Sequence, residues 1–298
     1  MEEKLKLGGQ TKAKKEVKFH KHEISKQEVI GSWVGRVFIW IVIAITLFPI
    51  IAVVSASMAG GDVFVQKTIF PKVWTLSNYK SVIQDTNFLE WVKNSLIVCT
   101  TVAVIQLCLA VPAAYAFSKL KFLGRKNGLM TLMLLQIFPT TMALPAILGI
   151  VYRFGGMDKL WVLILIISGG NAYNIWLLKG YMDGIPKELS EAALVDGAST
   201  WQVFTKIILP LTRNMLIVIF LFSFIGPYSE FIYSAALIKD PTTLTLPLGM
   251  EQFIKDKFAT NWSQYSAAAI MSSLPIVVLF MASQKYISKG ITAGSVKG

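Results

Sequence analysis

Cysteine and histidine are nearly missing from this chain, at two of each in 298 residues. Cys99 and Cys108 lie nine residues apart in one apolar stretch. On a helix that spacing is a rise of about 13 Å, beyond the roughly 7 Å between Cα atoms that a disulfide tolerates. Both read as small core residues and carry no information about redox compartment. His20 and His22 stand together on a polar tail and make half of a metal site, so no metal site is expected. Acids are also scarce, 17 against 29 lysines and arginines, for a net charge of +12. The bases flank apolar runs in short loops, which suits retention at an anionic membrane face and not nucleic acid. There is no G-x-x-x-x-G-K-[ST] phosphate loop and no H-E-x-x-H. No two acids share a buried helix, and no span carries a periodic arginine series or a filter-like run. The chain cannot hydrolyse ATP and shows no ion relay, so catalytic residues are expected to be none and work must come from elsewhere.

What the chain has in abundance is apolar sequence, 54% of residues with a mean hydropathy of +0.57. Crossing about 30 Å of hydrocarbon takes about 20 residues of helix, and lipid leaves helices as the way to satisfy backbone groups. Six stretches qualify: Val34–Ser55, Val92–Phe117, Leu129–Tyr152, Leu160–Leu178, Met215–Leu237 and Ser266–Ile287. The first is too long, starts too late and lacks the small-residue cleavage site of a signal peptide. An all-α membrane protein of six transmembrane helices is expected. With the N-terminus inside, the tail, the 118–128 loop, the 179–213 loop and the C-terminus are cytoplasmic. Those segments hold most of the basic residues. Lys119, Lys121, Arg125 and Lys126 share the short loop between the second and third spans with no acid, where the positive-inside rule is strongest.

The organisation expected is a tail over residues 1–32, then a first span and external segment over 33–91. A five-helix core over 92–287 follows, with a cytoplasmic loop at 179–213 and a tail over 288–298. The first tail mixes eight lysines with five glutamates and reads as a solvated extension. A helix is expected after Thr75-Leu76-Ser77-Asn78. The segment from Lys239 to Tyr265 opens on the turn formers Asp240-Pro241-Thr242-Thr243 and closes on an aromatic and basic stretch, Gln252–Trp262. Pro49, Pro112, Pro139, Pro145, Gly226-Pro227 and Pro275 put helix breakers in five of the six spans. Each proline removes a donor and tends to kink its helix, which suits a cavity opening to alternate sides.

Polar groups at membrane depth are costly unless they face protein or water. Gln106, Gln136, Asn171, Asn174 and Glu230 fall there. The glutamines read either as pathway groups or as interhelical hydrogen bonds worth about 1 kcal/mol. Glu230 sits about 22 Å along its helix from Met215, beside Tyr228 and Tyr233. A carboxylate among aromatic rings could contact a hydroxylated solute, or could be a satisfied acid near the interface.

The most informative stretch is Glu191–Pro210, EAALVDGASTWQVFTKIILP. Pro186 suits a first helical position. A helix over Lys187–Asp196 would offer Leu189, Ala192 and Ala193 as a small apolar face. Gly197 suits the left-handed residue that closes a helix. Ser199 with Gln202 forms a capping box that starts a second helix over Trp201–Leu209, up to Pro210. A surface amphipathic helix would carry lysines and large apolar residues, where this one has alanines and acids.

The same stretch fits the spacing E-A-A-x3-G-x9-I-x-L-P without a gap, through Glu191, Ala192, Ala193, Gly197, Ile207, Leu209 and Pro210. In this it resembles the membrane subunit of ABC importers, in the loop that docks onto the ATPase. Gln136-Ile137-Phe138-Pro139, Lys179-Gly180-Tyr181, AAAIMSSLP over Ala267–Pro275 and GITAGSVKG over Gly290–Gly298 extend the likeness from about Val34 to the end. They are similar to the shorter permease of maltose and maltodextrin importers, the MalG kind.

The resemblance implies a type I importer permease fold with cytoplasmic termini, in a bacterial plasma membrane. It implies a heterodimer with a homologous permease, two copies of a cytosolic ATPase and an extracytoplasmic sugar-binding protein. ATP and magnesium would sit on the ATPase, and no cofactor on this chain. It implies ATPase contact for the loop, Asp196 included, and for a tail of Thr292, Ala293, Gly294, Ser295, Val296, Lys297 and Gly298. Gln252, Phe253, Lys255 and Trp262 would face the binding protein. The substrate-path candidates, Glu230, Tyr228, Tyr233 and Asn171, come instead from the polar and aromatic groups at membrane depth, and the resemblance places most sugar contacts on the partner permease. Maltodextrin is the first expected substrate and galacto-oligosaccharide the second. An ion-coupled secondary transporter would act unaided and leaves Glu191–Pro210 unexplained.

Overall fold

The computed structural model describes residues 26–60, 70–255 and 261–295. Among these residues every regular element is helical, apart from an isolated antiparallel bridge between Ala59 and Trp74. The chain divides into two units, Met1–Ile50 and Ile51–Gly298. The first holds most of α1 (Lys26–Ser57), with Pro49 inside it. Residues Val29–Ser57 of this helix are long and apolar enough to cross a membrane.

In the second unit, α2 (Ser77–Asp85) is the short helix expected after Thr75-Leu76-Ser77-Asn78, and it starts two residues earlier, at Ser77. Its Asn78 Nδ2 donates to the carbonyls of Ser57 and Ala59 at 3.0 and 2.9 Å. Its Tyr79 hydroxyl shares a 2.7 Å hydrogen bond with Ser57 Oγ. These bonds satisfy carbonyls left orphaned where α1 ends.

The core is organised by α3 (Phe88–Lys119). Its buried residues recur every three or four positions: Ser95, Cys99, Ala103, Gln106, Ala110, Ala114 and Ser118. That stripe is small, so neighbouring helices approach closely, as membrane helices must when packing alone drives association. Cys99 lies on the stripe and is buried, whereas Cys108 lies off it and is exposed. The expectation that both are core residues is therefore corrected for Cys108.

Next come α4 (Arg125–Ile137), a 3₁₀ turn over Thr140–Ala143, α5 (Leu144–Arg153), α6 (Leu160–Ser168) and α7 (Ala172–Asp183). The third expected span is α4 and α5 bent by 69° about Pro139, and the fourth is α6 and α7 bent by 49°. The second bend falls at Gly169-Gly170, where no proline stands and a pair of small residues kinks the chain instead. Pro145 causes no kink, because it lies in the first turn of α5 where its missing N–H has no partner to lose.

The chain continues through α8 (Lys187–Val195), α9 (Thr200–Gln202), a π-helical stretch Val203–Ile208, α10 (Leu209–Leu211) and α11 (Arg213–Tyr228). Then follow α12 (Ile232–Leu237), α13 (Leu246–Glu251) and α14 (Trp262–Ser295). Among the described residues three single helices are long and apolar enough to cross a membrane, and up to six spans are reached if each bent pair, α4–α5, α6–α7 and the helix over Thr200–Leu211 with α11, is taken as one. The fifth span is shorter than its apolar run: α11 stops at Tyr228, one residue after Pro227. Glu230 therefore lies beyond the helix and not along it, contrary to expectation.

Against α3 pack α6, α7, α11 and α13, while α14 lies against α11. Two apolar clusters form along α3. One gathers Phe88, Trp91, Phe224, Leu237 and Leu246 near the start of α3. The other gathers Ala114, Leu178, Met182, Phe204 and Ile208 near its end.

Candidate functional site

Helix α8 ends in a Schellman motif built by the residues that mark the loop. Gly197 N donates to the Leu194 carbonyl at 3.1 Å and Ala198 N to the Ala193 carbonyl at 2.9 Å. Gly197 itself has φ +86°, the left-handed region that glycine enters without Cβ strain. Ser199 then forms the expected capping box: its hydroxyl accepts from Gln202 N at 3.2 Å, and Gln202 Oε1 from Ser199 N at 2.7 Å. Pro186 is extended and precedes α8, one residue short of the first helical position expected.

The second helix differs from expectation in its middle, which is π-helical. Leu209 N donates to the Phe204 carbonyl, five residues back. Pro210 has no N–H and its ring would collide with the carbonyl four residues back. Widening the turn moves that carbonyl aside, so the helix passes through Pro210 as far as Leu211. It then turns by 75° into α11 at Thr212, a fully buried residue whose hydroxyl donates to the Leu209 carbonyl at 3.0 Å.

This loop has two faces. Val203, Phe204 and Ile208 are buried against α3 and α7, with Phe204 4.7 Å from the Tyr115 ring and 5.4 Å from Trp201. Ala193, expected outward, packs inward with Ile207 on the same cluster. Glu191, Ala192, Asp196 and Gly197 are exposed. Beside them Leu189, Leu194, Val195 and Trp201 are open, Val195 at 87% exposure. Leu209 is half-buried and Pro210 exposed.

A second site lies where α6 breaks from α7. Asn171 Nδ2 donates to the Gln106 carbonyl at 2.6 Å. Asn174 Nδ2 reaches Asn171 Oδ1 at 3.0 Å and Ser223 Oγ at 2.9 Å. Gln106 Nε2 donates to the Ile167 carbonyl at 3.3 Å, and Gln136 Oε1 accepts from Tyr173 N at 3.2 Å. Both glutamines thus bond to a neighbouring helix. Gln106, Tyr173, Asn174, Ser223 and Glu230 also line a cavity of about 300 Å³. Nothing in the sequence marked Ser223, a single hydroxyl in an apolar run.

Of the substrate-path residues, Glu230 alone faces that cavity. Its carboxylate accepts from Tyr233 N at 2.6 Å, Ser234 N at 3.0 Å and Ser234 Oγ at 2.8 Å. From the position before the N-cap it thereby satisfies two of the unpaired N–H groups in the first turn of α12. Tyr228 is buried with its hydroxyl donating to the Ser272 carbonyl at 2.7 Å. Tyr233 packs on the first cluster, and Asn171 is buried under Gln106.

The segment after α12 is pinned to α3. Asn94 Nδ2 donates to the carbonyls of Thr242 and Leu244, both at 3.0 Å, and Ser95 Oγ accepts from Leu246 N at 2.7 Å. Asp158, at φ 59°, receives the backbone N–H groups of Lys239 and Asp240. The N–H and hydroxyl of Thr242, both at 2.8 Å, hold the Asp240 carboxyl below its ordinary value. Phe253 meets the Trp91 ring edge-on at 6.1 Å, and its carbonyl accepts from Asn261 N at 3.1 Å. Phe253 is thus an anchor of the loop's base, while Gln252, Lys255 and Trp262 are exposed. The middle of the Gln252–Trp262 stretch, residues 256–260, lies outside the described residues. At the C-terminus Thr292–Ser295 continue α14, and Val296, Lys297 and Gly298 lie outside the described residues.

Bent apolar spans, a glycine-closed pair of helices at their base and a polar cavity between them define a helical membrane transport component. The chain belongs to the family described as binding-protein-dependent transport system inner membrane component, whose model matches residues 28–293. It is 34% identical over 262 residues to the maltodextrin transport system permease protein MdxG of Bacillus subtilis (strain 168), covering 88% of this chain and 94% of that one. It is 36% identical over 259 residues to the galactooligosaccharides transport system permease protein GanQ of the same organism, covering 85% and 91%. The maltose/maltodextrin permease MalG of Escherichia coli (strain K12) is 32% identical over 292 residues, covering 92% and 98%. Among solved structures, a bacterial ABC transporter involved in the import of the acidic polysaccharide alginate matches with TM-score 0.76 at 24% identity, over 88% of this chain and 98% of that one. The last likeness concerns the fold. The chain is a membrane permease of this importer family.

Proposed function

We propose that this chain is one half of the permease of a bacterial oligosaccharide importer, and that it turns ATPase closure into alternating access. The observation that carries the reading is the loop over residues 187–211, open on one face and locked into the span bundle on the other. An ATPase groove would grip the exposed small residues Ala192 and Gly197 and pair with Glu191. Because Val203, Phe204 and Ile208 pack on α3 and α7, displacing the loop drags those helices as well as α11. The breaks at Pro139 and Gly169-Gly170 give the spans places to bend in response.

In this reading both termini and the loop are cytoplasmic, in keeping with the distribution of basic residues. The chain pairs with a second, homologous permease above two ATPase copies, which hold ATP and magnesium. The exposed Gln252, Lys255 and Trp262 would meet a sugar-binding protein outside the plasma membrane, and residues 292–298 would reach the ATPase dimer. Maltodextrin is the first substrate because relatives such as MdxG and MalG carry that description. The similarity to GanQ supports galacto-oligosaccharide as the second reading.

The test is reconstitution in liposomes with ATPase, partner permease and binding protein. We expect ATP hydrolysis and uptake to rise with the binding protein loaded with malto-oligosaccharide. Stimulation by galacto-oligosaccharide alone would transfer the assignment to the second reading. Uptake by the purified chain without an ATPase would refute both.

A further inference from the structure

The acid-free loop between α3 and α4 forms part of a cavity whose lining includes no residue of the 187–211 loop. About 620 Å³ in volume, it is lined by Arg125, Lys126, Asn127 and Lys179, with Phe122 and Leu123 on its apolar side. No carboxylate lines it. Asp183 lies one helical turn beyond Lys179 and pairs with it at 2.5 Å, leaving the other two bases in excess. Arg125 is fixed in place: its Nε donates to the Phe117 carbonyl at 3.0 Å and its Nη2 to that of Ser118 at 2.7 Å. No side chain caps the N-terminus of α4, which adds partial positive charge to the same rim.

The apolar side is equally telling. Leu123 is fully exposed at 101%, and Phe122 beside it at 44%. In water such a pair at a loop tip is unfavourable, but at the end of membrane helices it meets acyl chains. Basic pockets between spans on the cytoplasmic side are suited to phosphate headgroups, and an arginine already held by the carbonyls of Phe117 and Ser118 loses little freedom on binding one.

We propose that this cavity is a binding site for the phosphate group of an anionic membrane phospholipid, with Arg125 and Lys126 as its cationic ligands and Leu123 against an acyl chain. None of its lining residues belongs to the 187–211 loop, and the inference rests on the proposed orientation, with the loop between α3 and α4 on the cytoplasmic side of the membrane.

The test is native mass spectrometry of the full chain in detergent, titrated with phosphatidylglycerol, phosphatidylcholine or inorganic phosphate. We expect retention of phosphatidylglycerol over phosphatidylcholine. Removing one charge by Lys126→Gln should weaken that binding about fivefold. Lys126 makes no hydrogen bond among the described contacts, so this variant leaves the fold intact. Leu123→Ser should weaken phosphatidylglycerol and leave inorganic phosphate unaffected. Equal retention of the two lipids, or no change in Lys126→Gln, would overturn the site. Inorganic phosphate binding as tightly as the lipid would overturn its assignment to a lipid.

Discussion

A Cβ added to Gly249 would stand 2.1 Å from Cδ2 of Trp91. The indole is buried at 2% exposure, and the Gly249 backbone lies directly on it. Phe253 meets the ring edge-on, so neither partner can yield without opening the first cluster. The start of α3 and the base of the loop after α13 are thereby one packed body.

Gly249→Ala should therefore destabilise the protein by about 1–3 kcal/mol, the range for overpacked cores. Thermal unfolding followed by fluorescence-detected size exclusion measures this. Gly180→Ala, in α7 with open space around it, is the matched control. It should be neutral or stabilising by up to about 1 kcal/mol, because alanine is the better helix former. Equal losses in both variants would contradict the Trp91 contact.

Gly197 poses the opposite case, since nothing lies within 4 Å of an added Cβ there and the constraint is its φ of +86°. Gly197→Val should strain the turn by about 1–2 kcal/mol, while Gly197→Asn, which tolerates this region, should retain most coupling. Sugar-stimulated ATP hydrolysis in liposomes should fall in the order Gly, Asn, Val.

Charge on the open face is tested by Glu191→Lys. Its side chain is exposed, so the fold and membrane insertion should be unaffected. Stimulated hydrolysis and uptake should drop at least tenfold. Full uptake in this variant would count against docking through α8.

Asn94→Leu removes both donors to the Thr242 and Leu244 carbonyls. Leaving buried acceptors unpaired costs about 1–3 kcal/mol. We expect hydrogen exchange to rise over residues 240–250 and binding-protein stimulation to weaken, with basal hydrolysis unchanged.

Glu230 separates capping from substrate contact. Glu230→Gln keeps an acceptor for the start of α12 and should leave stability and the KM for sugar nearly unchanged. Glu230→Ala should lower the thermal midpoint. A raised KM in the glutamine variant at unchanged stability would restore the carboxylate as a sugar contact.

Local features of this chain were legible because they depend on neighbours a few residues away. The glycine closing α8, the capping box at Ser199 and the break at Pro139 all follow from backbone chemistry readable in order. The bend at Gly169-Gly170 was equally local and simply carried a weaker signal than proline. The early end of α11 was not legible, since hydrophobicity continues through Leu237 while the helix does not.

By itself, then, the sequence determined which stretches are apolar enough to cross a membrane, how the loop between them is punctuated, and which family the spacing belongs to. Only the tertiary structure decided which polar groups are free. Glu230 and Tyr228 look alike as pathway candidates in one dimension. In three, one faces a cavity while capping a helix, and the other is buried under Ser272. The physical reason is that a hydrogen bond across dozens of residues depends on how helices cross, and crossing is set by packing the small stripe of α3, not by any local pattern.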